Sequence, residues 1–117
     1  MTVQAKQRDW SVTDEKVKEA VRRIIEVADP SRIVLFGSRA RGNNRPNSDL
    51  DLAVIIDAPD EEVRRRLPHR VLRGIGMEVS LIVVSKEKYD RHRPWLNSVF
   101  HSIDREGVVL YDREDPK

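Results

Sequence analysis

The chain has 117 residues, 38% hydrophobic and 36% charged, with 22 Lys+Arg against 20 Asp+Glu and no cysteine. That length supports one hydrophobic core and that composition a folded domain with a heavily ionised surface; they exclude intrinsic disorder, a disulfide framework, a thiolate zinc site and a thiol nucleophile. A formal charge of +2 excludes a strong field for nucleic acid, and with no apolar signal core and no stretch near the ~18 apolar residues of a membrane span, the expected compartment is the cytoplasm.

Residues 1–10 are polar and expected to be loose. From Thr13 the pattern turns helical, because Val17, Ala20, Val21, Ile24, Ile25 and Ala28 recur at three- and four-residue spacing and form one apolar stripe. Ser11 or Thr13 can cap the first turn, Asp14 and Glu15 suit its positive end, and Asp29-Pro30 closes the helix. Arg32-Ile33-Val34-Leu35-Phe36 is a short apolar run rich in branched residues, which predicts a buried strand ending at Gly37-Ser38. Residues 39–48 contain Gly42, Asn43, Asn44, Pro46 and Asn47, so a loop is expected after at most one helical turn.

A second strand is predicted over residues 49–56, and Asp57-Ala58-Pro59 then caps a charged helix running towards Gly74 or Gly76. Pro68 inside that stretch predicts a kink or a split. A third strand is expected over residues 77–84, with Ser85 capping helical turns around 86–91 and more turns around 95–105. Gly107 is the stop signal before a last strand, Val108-Val109-Leu110-Tyr111. Helices and strands alternate throughout, so the expected fold is an α/β sandwich around a small sheet. One domain is expected over residues 1–117, with 1–10 and 113–117 flexible.

The chemistry is concentrated in Gly37-Ser38-Arg39-Ala40-Arg41-Gly42 and in Ser48-Asp49-Leu50-Asp51-Leu52. Side chains two apart on a strand share a face, so Asp49 and Asp51 project together while Leu50 and Leu52 face the opposite layer. Two such carboxylates can share a divalent cation, or hold two cations roughly 3.5–4 Å apart. Oxygen-only donors favour magnesium or manganese over zinc. Unshared, the two acids repel, and one tends to keep its proton. Gly37-Ser38 lies where a buried strand becomes a helix start; glycine admits a ligand close to the backbone, and first-turn N–H groups face an anion. With the serine hydroxyl, these make a triphosphate clamp beside a metal pair. Arg39 and Arg41 are close enough in sequence to neutralise phosphate oxygens. Each signal alone is ordinary, since most Gly-Ser pairs are turns and most Asp-x-Asp pairs are solvated strand ends. Their order carries the weight.

That order, Gly37-Ser38, ten residues, then Asp49-Leu50-Asp51, resembles the signature of the nucleotidyltransferase superfamily that includes DNA polymerase beta. The short length and the closing Arg105-Glu106-Gly107-Val108-Val109-Leu110-Tyr111 resemble its minimal nucleotidyltransferase (MNT) branch. The resemblance is tight over residues 33–57 and looser over 74–112. It implies a nucleotidyltransferase fold of the α+β kind: a small mixed sheet of about four strands, flanked by helices, with the site on one sheet edge. It implies that Gly37 and Ser38 bind the nucleotide phosphates, that Asp49 and Asp51 bind Mg2+ or Mn2+, and that a nucleoside monophosphate passes from ATP or another triphosphate to a hydroxyl. The superfamily normally adds a third carboxylate on the next strand. Here Ser80 stands at that place, and Glu78 lies two residues earlier on the same face. Glu78 either reaches the metals as third ligand and catalytic carboxylate or is a solvated strand start.

The resemblance also implies a partner. The chain ends soon after its core strands, so the acceptor surface is expected from another protein or a second copy. MNT proteins often pair with a helical HEPN-domain toxin in toxin–antitoxin systems, the antitoxin adding adenylate to a toxin tyrosine. The alternative is a catalytically weakened, nucleotide-binding antitoxin that acts by contact, motivated by Ser80. His69, His92 and His101 lack ligand spacing and are expected to be surface or partly buried groups. Gly37–Gly42 is not a Walker-type loop, since no Gly-Lys-Ser/Thr follows. Trp10 and Trp95 suit core or interface better than base stacking. Arg64-Arg65-Arg66 with His69, Arg70 and Arg73 forms a basic patch, more often a wet helix face than an RNA surface, to which Lys86, Lys88 and Arg91 could add.

Overall fold

The structure is a computed structural model and describes residues 11–45 and 48–114. The expectations for residues 1–10, Trp10 included, for Pro46-Asn47 and for 115–117 lie outside the described residues. Helix α1 (Asp14–Ala28) is capped by Thr13, whose hydroxyl accepts from the Lys16 amide at 3.2 Å. It ends where Asp29 turns left-handed (φ 48°) and its N–H donates to the Ile25 carbonyl. Strand β1 (Arg32–Phe36), the single turn α2 (Ser38–Arg41) and β2 (Leu50–Ile56) follow. Then come α3 (Asp60–Arg66), a 3-10 turn (His69–Leu72), β3 (Val79–Ser85), α4 (Lys86–His92), α5 (Val99–Glu106) and β4 (Val108–Asp112).

The sheet has the order β3-β2-β1-β4, with β2 and β3 parallel and the other pairs antiparallel. The expected mixed four-stranded sheet is what forms. Alternation along β2 divides the core in two. Leu50, Leu52, Val54 and Ile56 pack with Ala20, Ile24 and Ala28 of α1 and Val63 of α3. Ala53 and Ile55 pack on the other face with Val34, Val84, Tyr89 of α4 and Ile103 of α5. Gly107 joins α5 to β4 because the backbone passes so close to the Ile103 carbonyl and the Val34 side chain that a Cβ would strike both.

The split expected at Pro68 is what forms: the charged helix stops at Arg66 because Pro68 drives the preceding Leu67 out of helical geometry (φ −130°, ψ 81°), and the 3-10 turn follows. Other boundaries differ from the sequence expectation. The third strand begins at Val79, opposite Leu50, not at Met77, which is buried below the strand's entry. Helix α5 begins at Val99, where the Ser98 hydroxyl accepts from the Phe100 amide, and not at Trp95. Arg113, expected in a flexible tail, is tied down by its N–H to the Ser31 carbonyl at 2.9 Å and by an ion pair with Asp29 at 3.2 Å. Among the described residues no helix is long and apolar enough to cross a membrane.

Candidate active site

Strand β2 is central in the sheet, and its first residues form the site. Antiparallel pairing puts Phe36 beside Asp51 on one side, and parallel pairing puts Ser80 beside it on the other. Asp51 therefore shares the face of Ala53 and Ile55, beyond the edge of the α4–α5 core. Asp49 immediately precedes the strand and is exposed, whereas Asp51 is half-buried. Leu50 and Leu52 turn into the opposite core, as alternation requires.

Gly37 makes the close approach possible. Its φ of 78° with ψ −158° lies where side chains are strongly disfavoured, and a Cβ built there would run into the Asp51 carboxylate. The acid thus lies directly against the strand-to-helix turn. Ser38 opens α2, which is closed by the Arg41 N–H to the Gly37 carbonyl at 3.2 Å and by Gly42 in left-handed geometry. Gly37, Ser38, Asp49 and Asp51 are brought to one end of the sheet.

Electrostatics at that end favour a cation. The Asp51 acid is held above the ordinary carboxylate range, first by burial and then by the negative charge of Asp49, with Arg41 opposing both. The Asp51 backbone is held in the sheet between Phe36 and Ser80, and its carboxylate feels the charges of Asp49 and Arg41. The pair is a hard, anionic, oxygen-only donor set, which fits magnesium or manganese.

The other expected site residues are engaged differently. Arg41 acts on the charge of Asp51 while it is exposed and lies 3.7 Å from Glu106 on α5, a contact between residues far apart in sequence that no local pattern announces. Arg39 is turned to the backbone: its Nε and Nη2 donate to the Ser48 carbonyl at 3.2 and 3.0 Å, and Nη2 also reaches the Arg45 carbonyl at 3.3 Å. Glu78 sits one residue before β3, exposed, and borders a cleft with His69, Arg70 and Arg73. Among the described residues no three His, Asp or Glu side chains form a group that could hold a metal ion, so Glu78 does not complete a three-carboxylate cluster. Magnesium characteristically takes one or two protein carboxylates and completes its shell with substrate phosphates and water, so the aspartate pair remains a fitting donor set.

Elsewhere, His92 packs on the half-exposed Trp95 with centroids 4.6 Å apart, and His101 Nδ1 bonds the Arg93 carbonyl at 2.9 Å. In the arginine run, Arg66 is committed to Glu62 and to the Ala28 carbonyl, leaving Arg64 and Arg65 as an exposed helix face.

A helix-covered mixed sheet with an acid pair at the head of its central strand defines a nucleotidyltransferase fold. A crystal structure from Sulfolobus solfataricus, provisionally titled a nucleotidyltransferase, superposes with a TM-score of 0.54 at 21% identity, over 90% of this chain and 94% of that one. The sequence model described as "Nucleotidyltransferase domain" matches residues 14–103, and the chain belongs to that family. A Methanocaldococcus jannaschii protein provisionally named protein adenylyltransferase MJ0604 is 34% identical over 80 residues, covering 68% of this chain and 77% of the relative. Protein adenylyltransferase MntA of Aphanizomenon flos-aquae is 31% identical over 96 residues, covering 80% of this chain; the match spans 64% of that longer relative. The resemblance to the minimal nucleotidyltransferase branch is borne out by these relatives.

Proposed function

We propose that the chain transfers AMP from ATP to a hydroxyl of a partner protein. The observation that carries this reading is the Asp51 carboxylate pressed against Gly37 and electrostatically paired with Asp49, in a chain related to proteins named protein adenylyltransferases. In this reading Asp49 and Asp51 hold magnesium or manganese. Bound there, the ion supplies neutralisation of phosphate charge and polarisation of the phosphorus under attack. The Ser38 hydroxyl and the first-turn N–H groups of α2 grip phosphate oxygens and orient the α-phosphorus for in-line attack. Arg41, whose charge acts on Asp51, offsets charge on the departing pyrophosphate. The Pα–O bond to pyrophosphate breaks as the acceptor oxygen bonds to phosphorus, and the acceptor proton leaves to a carboxylate or to solvent. A tyrosine of a HEPN-type toxin is the acceptor we favour, through the resemblance to MNT antitoxins.

The test uses ATP labelled at the α- or the γ-phosphate, magnesium, and the protein encoded beside this gene. Label passing to the partner from α-labelled ATP alone supports nucleotidyl transfer. Label from the γ position indicates a kinase and overturns the reading. Ser80 beside Asp51, where the superfamily normally places its third carboxylate, favours one second reading: a nucleotide-binding module that restrains its partner by contact. Complex formation that survives Asp49→Ala and Asp51→Ala, with no label transferred, would establish that alternative.

A further inference from the structure

Arg39 stands one residue after the Gly37-Ser38 turn, where a phosphate contact would be the ordinary assumption, yet its guanidinium is used on the chain itself. Three hydrogen bonds of 3.0–3.3 Å tie it to the carbonyls of Ser48 and Arg45. Ser48 is the residue immediately before Asp49. The same stretch is closed by the Ser48 N–H to the Arg45 carbonyl at 3.0 Å and by the Arg45 N–H to the Ser48 hydroxyl at 2.9 Å.

We propose that Arg39 is a positioning residue: its fork fixes the backbone entering β2, so that Asp49 stands beside Asp51 before any ligand arrives. Physical need and geometry agree here. The segment from Gly42 to Ser48 carries one glycine and three asparagines, its described residues belong to no strand or helix, and it must still deliver a carboxylate to a defined place. A planar guanidinium can bridge two carbonyls in a fixed orientation, whereas an ammonium is a rotating point charge. The bridge also links the two halves of the motif, since α2 carries the Gly-Ser turn and Ser48 leads to the acid pair. The inference rests on the reading of Asp49 and Asp51 as a metal pair, and it assigns phosphate contact to Ser38 and Arg41 rather than to Arg39.

The experiment compares wild type, R39K, R39Q and D49N in three measurements: Mn2+ affinity without nucleotide by electron paramagnetic resonance, amide hydrogen exchange at Arg45 and Ser48, and kcat and KM for ATP. Removal of a group that orients a metal ligand typically weakens metal affinity by roughly 10–100-fold. R39K is expected to weaken Mn2+ within that range, to lose amide protection at both positions and to lower kcat with little change in KM for ATP. R39Q, which keeps one planar donor, is expected to fall between R39K and wild type. Unchanged Mn2+ affinity and amide protection in R39K, with a raised KM for ATP, would show Arg39 to be a phosphate ligand and overturn the proposal. Wild-type exchange gives a check that needs no variant: protection at Arg45 and Ser48 must exist without nucleotide, and protection appearing only on adding ATP contradicts it. D49N separates the two levels. If D49N binds Mn2+ as tightly as wild type, the metal-pair reading fails, whatever Arg39 does.

Discussion

The two ends of β2 obey one alternation rule and serve opposite purposes. From Leu52 to Ile56 the strand is buried on both faces, with Leu52, Val54 and Ile56 under α1 and Ala53 and Ile55 under α4 and α5. Two residues before Ala53 the same face carries Asp51, and two before that Asp49. At the buried end each side chain has apolar neighbours and contributes to stability. At the head of the strand two like charges lie side by side, one of them partly desolvated, an arrangement that opposes folding until a cation joins it. Stability and chemistry are divided along a single strand, and the division falls where the helical cover stops.

The sharpest way to break this contrast is to neutralise the acid pair. Asp49→Asn or Asp51→Asn is expected to lower AMP transfer by roughly 100–1000-fold, the scale of several kcal/mol of lost metal stabilisation, while circular dichroism stays native. The reciprocal change at the buried stretch is Leu52→Ala. It is expected to cost about 2–5 kcal/mol of unfolding free energy in urea titrations, because Leu52 is fully enclosed and its truncation removes buried apolar contacts and leaves a cavity.

Smaller effects follow from titration, with the same sign at the two ends but in different pH ranges. Tyr89, which packs over the buried half, has its phenol pushed up to about 12 by burial and by Asp104. A folded pKa above the unfolded one stabilises the native state fully below the unfolded value and loses that contribution as pH rises through the folded value. Unfolding stability should therefore fall between the ordinary tyrosine value of 10.0 and about 12, and Tyr89→Phe should remove that part of the fall. Asp51 is also raised, so its contribution is full below its unfolded pKa and lost as pH rises through the folded one. In metal-free protein at neutral pH, Asp51→Asn is thus expected to raise the thermal midpoint slightly. A substitution that ends activity and yet stabilises the protein would mark the head of β2 as functional; a lowered midpoint would contradict the electrostatic account.

Much of this was legible in the residues. The stripe on α1, the apolar runs of β1 and β2 and the alternation at Asp49-Leu50-Asp51-Leu52 depend on local periodicity, and periodicity survives tertiary packing when the core is this apolar. The placement of Asp51 beside Gly37 was legible because motif order reflects a strand, a turn and an adjacent strand. What was not legible depends on closure through space. The direction of the Arg39 side chain is set by where the Arg45 and Ser48 carbonyls lie, and the Arg41–Glu106 contact depends on how α5 runs back across β1. The position of Glu78 depends on pairing, since β3 starts only where Leu50 offers its N–H, at 2.9 Å, to the Glu78 carbonyl.

The most direct test of the central claim is paramagnetic broadening of amide resonances on adding Mn2+ with ATP. The account predicts that Gly37, Ser38, Leu50 and Asp51 broaden first, that Ile55 and Ile56 at the far end of the same strand stay sharp, and that Asp49→Asn abolishes the pattern. Uniform broadening, or a focus at the Glu78 cleft with the glycine–serine turn untouched, would contradict it.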